Sequence, residues 1–262
     1  MSATRVDRSR AVPPGPPSRR RRWPRRLLAV LAGALAVAVI GFAVLLAVTP
    51  SAGDAQERAA RLAASRGDQS SGVTVPPMFA AALVATEDSR FYSDHGIDPL
   101  GALRAAASPV LGGDQGGATL DQQLAKQLYS GGRSGLLDKV EQAALAIKID
   151  HDYSKAHILQ MYATVVYFGN GYYGLPAAAC GYFARPPAHL TVAQDTMLAG
   201  LMQAPTAYDP LTDYPLARAR QRHVLDRLVA THVLTQSQAD AVYARPLDLR
   251  PKASPAAPGC GG

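Results

Sequence analysis

The sequence predicts a mainly α fold with one N-terminal transmembrane helix. Three observations predict it. Residues 27–48, LLAVLAGALAVAVIGFAVLLAV, carry no charge, and as a helix they would span about 33 Å, enough for a bilayer core. Apolar residues then recur at helical spacing in segments 118–129, 136–150, 154–167, 174–183, 190–202 and 215–230. The period-two alternation of strands is scarce.

The elements follow in order. Residues 1–26 hold nine arginines and one acid, a net of +8, while the rest of the 262-residue chain holds 18 basic and 19 acidic residues. The basic excess is therefore a tail and not a binding face, which excludes nucleic acid as a partner. The arginines precede the apolar run. They place a cytoplasmic tail at 1–26, an anchor at 27–48 that crosses the cell membrane once, and the remaining chain outside. A cleaved signal peptide is the competing reading, but its apolar region is usually about 7–15 residues and ends at a small-residue site. Residues 49–75 read as a juxtamembrane linker with a short helix. Residues 76–246 read as the folded domain, and 247–262 as a disordered Pro/Gly/Ala-rich tail. Cys180 and Cys260 make no disulfide framework and are expected to stay unpaired. No zinc spacing occurs, and His151 and His157 read as surface helix residues.

Within the domain, ATEDSRFYSDHGIDP (85–99) brings two carboxylates, Glu87 and Asp88, out of an apolar run. A helix from Pro76-Pro77 puts Phe79, Leu83 and Glu87 at i, i+4 and i+8, so Glu87 continues an apolar row. Partial desolvation there makes a carboxylate a better proton acceptor. The plainer reading is a helix end that faces water. In GGDQGGATLDQQLAKQLYSGG (112–132), Leu120, Leu124 and Leu128 form one face, and Thr119, Gln122 and Lys126 form a donor stripe suited to an anionic or sugar-rich ligand. An ordinary amphipathic helix would look much the same. No Gly-Lys-Ser/Thr follows these glycines, so it is not a nucleotide phosphate loop. In 138–174, Val140, Ala144 and Ile147 read as the core stripe of one helix, with Glu141 bordering it beside Lys148 and Gln142 pointing away. Ser154 reads as an N-cap of the next helix. The turn YFGNGYYG suits a close-packed loop, and LAGLMQAPTAYDP (198–210) reads as a buried helix ending at a Pro-rich corner.

Taken in order, these segments resemble the peptidoglycan glycosyltransferases (glycosyltransferase family 51). EDSRFYSDHG resembles the motif E-D-x-x-F-x-x-H-x-G, and GGATLDQQLAKQ resembles G-G-S-T-I-T-Q-Q-L-x-K-N. YSKAHILQMYATVVYFGNGYYG and LTVAQDTMLAGLMQAPTAYDP resemble the later motifs, so the likeness runs over about residues 73–230. It implies a lysozyme-like helical glycosyltransferase domain that polymerises membrane-borne lipid II into glycan strands. Glu87 would be the general base for the acceptor 4-hydroxyl, Asp88 would orient the site, and Phe91 would pack behind it. Thr119, Gln122, Gln123 and Lys126 would hold substrate, with Lys126 and Lys139 on the leaving lipid pyrophosphate. The resemblance allows a divalent cation, Mg or Mn, on that leaving group and implies no organic cofactor. Partners would be lipid II, the growing strand, the membrane and other cell-wall synthesis proteins. A hydrophobic surface near 97–111 would dip into the bilayer.

The departures from the family pattern carry weight. Asp94 stands at the motif histidine, with His95 one place later, and Ala118 stands at the motif serine. The third motif, R-K-x-x-E, falls on Asp138 and Lys139, with Gln142 at the second catalytic glutamate and Glu141 one residue early. Gln160 and Gln194 also stand where glutamate is common. Gln142 could hydrogen-bond to substrate but could not protonate an oxygen. Three readings stay open: Glu141 turns in as the second catalytic carboxylate, one carboxylate suffices, or activity is reduced. No Ser-x-x-Lys occurs and these residues leave no room for a transpeptidase domain, so the expected enzyme polymerises without cross-linking. Its rivals are a non-catalytic lipid II-binding relative and a glycan-cleaving enzyme with Glu87 as general acid.

Overall fold

A computed structural model describes residues 23–67, 73–101, 117–133, 135–250 and 260. It is mainly α, as expected, and no strand occurs among the described residues beyond an isolated bridge between Tyr167 and Tyr173. The chain divides into two units, residues 1–44 and 45–262. Helix α1 (Trp23–Val48) makes up the described part of the first unit and runs four residues beyond it, and its stretch Arg26–Val48 is long and apolar enough to cross a membrane.

The second unit holds α2 (Ala55–Ser65), α3 (Pro77–Glu87), α4 (Leu120–Tyr129), α5 (Leu136–Asp152), α6 (Lys155–Val165), α7 (Leu175–Phe183), a 3-10 turn (Pro187–His189), α8 (Val192–Leu201), α9 (Tyr214–Ala230) and α10 (Gln236–Tyr243). The starts are written in the sequence. Ser154 caps α6 by accepting from the His157 N–H, and Thr119, Thr191 and Thr235 each form a reciprocal box with the glutamine three residues on. Proline opens α3, where a missing N–H costs nothing. Helix α8 is buried on every side from Ala193 to Leu201, which marks the centre of a helical core. It packs against α3 and α9. Helix α4 packs against α5 and α6. Gly96, at φ +83°, lets the loop after α3 lie against the α5 backbone, where a Cβ would meet the Ala146 carbonyl.

Several expectations are corrected. The segment 49–75 is more than a linker: Ala55, Ala59 and Ala63 of α2 are buried, and α2 packs against α6. The packed chain continues past 246, because Leu247 is buried and its carbonyl accepts from Gln194 Nε2 at 2.9 Å. The two cysteines do pair, Cys180 with Cys260; nothing local in the sequence signals a partner 80 residues away. The core stripe of α5 is also different. Val140 is exposed, as are Leu136 and Leu137, and the buried positions are Gln142, Ala144, Leu145, Ala146 and Ile149. Gln142 therefore faces inward. Of the surface expected near 97–111, residues 102–111 lie outside the described residues.

Two stability predictions follow from buried groups. Asp195 is buried in α8 with its Oδ1 unpartnered, and burial pushes its carboxyl up to about 7 from an ordinary 3.8. The folded state then holds this proton more tightly than the unfolded chain, so its contribution is complete below the unfolded value and is lost as pH rises through about 7. Thermal unfolding of Asp195→Asn should fall less between pH 5 and pH 8.5 than that of the parent; equal slopes would refute this. Replacing both cysteines by serine should cost about 2–4 kcal/mol in urea unfolding, with no further loss on adding reductant.

Candidate active site

Glu87 is the last residue of α3, below the fully buried Phe79 and Leu83. The row predicted by i+4 spacing exists, and the Glu87 side chain is 15% exposed. Arg220 of α9, itself buried, donates from Nη2 to Glu87 Oε1 at 3.1 Å and from Nε to the Gly200 carbonyl at 3.2 Å. A guanidinium at that distance favours a carboxylate in its charged, proton-accepting form. Tyr162 of α6 is buried, and its hydroxyl donates to Gln123 Oε1 at 2.8 Å. Burial, and then the Glu87 charge, raise the Tyr162 phenol well above its ordinary value. Tyr162 thus remains a neutral donor that holds Gln123.

Asp88 caps the end of α3 and is buried. Its Oδ2 accepts from the Leu120 N–H at 3.0 Å, which joins the end of α3 to the start of α4. Burial pushes Asp88 up to about 6; the Leu120 N–H works against this rise and Asp94 adds to it. Phe91 is fully buried and lies under Lys155 Nζ, 4.4 Å from the ring centroid. Lys155 Nζ also meets Asp94 Oδ1 at 2.9 Å, Asp121 Oδ2 at 3.3 Å and Asp150 Oδ1 at 2.7 Å.

The donor stripe of α4 is divided. Thr119 is buried, and its hydroxyl donates to the Gly96 carbonyl at 2.7 Å while accepting from the Gln122 N–H. Gln122 Oε1 accepts from the Thr119 N–H at 2.9 Å. These two residues build the helix start. Lys126 is half-buried and Lys139 exposed, and neither has a hydrogen-bond or ion-pair partner among the described residues.

On α5, Gln142 Nε2 donates to the Arg133 carbonyl at 2.8 Å and pins the turn before the helix, while Arg133 pairs with Asp138 at 3.2 Å. Glu141 lines a cavity of about 340 Å³ with Leu45, Val48, Leu137 and Val140, and Glu87 is not among its lining residues. Glu141 is half-buried and Gln142 buried, so the reading that set Glu141 nearer the core than Gln142 is overturned. A divalent cation at the Gln142 position fits poorly, since that side chain offers a neutral amide in place of a carboxylate.

Sequence reasoning passed over Arg220, Tyr162, Lys155 and Asp121. Arg220 is one of four arginines in α9, and nothing local distinguishes it. Tyr162 and Lys155 lie inside the quoted YSKAHILQMY stretch. Asp121 had a signal, because the motif G-G-S-T-I-T-Q-Q-L has threonine at its place.

The buried helical frame and the acid-bearing first motif agree with the comparisons. A family model described as Transglycosylase matches residues 56–229, and the chain belongs to that family. Penicillin-binding protein 1A of Escherichia coli (strain K12) is 39% identical over 168 residues, 63% of this chain and 20% of that protein. Penicillin-binding protein 1A of Mycobacterium tuberculosis is 40% identical over 166 residues, 62% of this chain and 20% of that protein. The chain therefore spans about a fifth of the length of these relatives. A crystal structure of penicillin-binding protein 1A from Haemophilus influenzae aligns with a TM-score of 0.41 and 20% identity, over 68% of this chain and 17% of that one.

The Arg220–Glu87 pair gives a direct test. Removing one partner of a buried ion pair costs about 3–5 kcal/mol. Arg220→Met should destabilise the parent more than it destabilises Glu87→Gln, with a coupling of about 1–3 kcal/mol in a double-mutant cycle of urea unfolding. Additive effects would mean that the pair does not hold Glu87.

Proposed function

We propose that this chain polymerises lipid II into peptidoglycan glycan strands, with Glu87 as general base. The observation that carries the reading is the placement of Glu87: a partly desolvated carboxylate at a buried helix end, held by Arg220, in the first segment of a Transglycosylase-family domain. Glu87 takes the proton of the acceptor 4-hydroxyl as that oxygen attacks C1 of the growing chain. The C1–O bond to the lipid pyrophosphate breaks, and the pyrophosphate leaves with its charge. Lys126 and Lys139 supply the cations that meet it, and no step passes through a metal. Asp88 and Phe91 position the acid from behind, and Gln123, held by Tyr162, faces substrate.

The anchor and the substrate suit each other, since lipid II is itself in a membrane. The arginine tail puts the N-terminus in the cytoplasm. The Cys180–Cys260 disulfide supports an extracytoplasmic domain, because disulfides persist on the oxidising side.

A second reading, a relative that binds lipid II without turnover, is favoured by the commitment of Gln142 to Arg133. Polymerisation of labelled lipid II in detergent separates the two. Wild type should make polymer, Glu87→Gln should lose at least about 100-fold, and Glu141→Gln should stay within a few-fold. Full activity in Glu87→Gln would overturn the base. Binding without polymer, with activity gained in Gln142→Glu, would establish the second reading.

A further inference from the structure

Beside the first turn of α4, three aspartates from separate segments converge. Asp88 ends α3, Asp94 lies in the following loop, and Asp121 is on α4; one carboxylate oxygen from each lies within 4.8 Å of the others. Two of these side chains are sealed from water, Asp121 fully and Asp94 to 5% exposure. Each uses one oxygen on Lys155, and the second oxygens, Asp94 Oδ2 and Asp121 Oδ1, are buried with no hydrogen-bond partner. A buried carboxylate oxygen without a donor is costly. Three carboxylates, Asp94, Asp121 and Asp150, share the Lys155 ammonium; Arg90 acts on Asp88 and Asp94 but is paired with Asp98, and His95, 3.6 Å from Asp150, is almost fully exposed. Positive charge is therefore deficient where solvent cannot supply it.

We propose that Asp88, Asp94 and Asp121 bind one calcium-sized divalent cation. Three carboxylates from separate segments, largely closed to water, suit calcium, which accepts an irregular cage of protein oxygens, better than magnesium, which dehydrates reluctantly and keeps several waters. The ion takes up the two unpartnered oxygens, Asp94 Oδ2 and Asp121 Oδ1. It ties the end of α3, which carries Glu87, to the start of α4. The site belongs to this sequence in particular, since the quoted motifs carry histidine at Asp94 and threonine at Asp121.

The test needs no substrate and no turnover, so it stands apart from the proposed reaction. Full-length chain in detergent is stripped with chelator and titrated with calcium by calorimetry, and its unfolding temperature is followed with and without the ion. Wild type should bind one calcium per chain and melt higher with it. Asp121→Thr and Asp94→His, which install the motif residues and should fold, should each weaken binding at least tenfold and lose the thermal shift. Glu141→Gln should bind as wild type does. No saturable binding by folded wild type up to about 1 mM, the weak end of known calcium modules, would overturn the proposal. So would binding that survives both aspartate substitutions or vanishes with Glu141→Gln.

Discussion

One ammonium group organises the ground beneath the candidate site. Lys155 Nζ reaches Asp94, Asp121 and Asp150 and lies over the Phe91 ring. The loop after α3, the first turn of α4, the end of α5 and the start of α6 all meet on that single charge. Burial works against the charge, but Asp150, Asp121 and Asp94 overcome this and hold Lys155 above its ordinary value. The same burial pushes Asp121 up to about 7, against the pull of Lys155. A site assembled on so many carboxylates and one cation is fixed in geometry, because moving any member exposes another to an uncompensated neighbour.

Glu87 depends on that base indirectly. It is one residue before Asp88, and Asp88 is fixed by the Leu120 N–H. The end of α3 therefore cannot rotate without breaking the start of α4. From the opposite side Arg220 brings α9 and the Gly200 carbonyl of α8 onto the acid. Two independent restraints converge on one carboxylate, and the proposed role as general base would need such fixing, since misplacement by an ångström forfeits much of the rate.

Local signals in the sequence were legible and distant ones were not. The long apolar N-terminal helix, the Ser154 cap and the Phe79–Leu83–Glu87 row depend on spacing within one helix, and the structure shows each of them. The phase of α5 failed for a physical reason. Its sequence, LLDKVEQAALAIKIDHD, places Leu136, Leu137 and Val140 on the surface and a glutamine inside. A helix with apolar residues around much of its girth has no single period to read. Arg220, 133 residues from Glu87, and Cys260, 80 residues from Cys180, are joined only by the completed fold. The Thr119–Gln122 pair was visible in the sequence, and a threonine with glutamine three residues on is also the signature of a helix start, a use the structure shows here.

The asymmetry between Glu87 and Gln142 bears on how such a site can work. Glu87 is supplied with a cation, while the α5 position is an amide bonded to the Arg133 carbonyl. A displacement at C1 with a pyrophosphate leaving group has unequal demands at its two ends. The attacking hydroxyl must lose a proton, so a base is indispensable there. In the proposed reaction the leaving pyrophosphate is a stable anion that needs positive charge more than it needs a proton, and Lys126 and Lys139 are the groups proposed to supply it. On that proposal one carboxylate and two lysines meet both demands, and the amide of Gln142 holds the turn before α5.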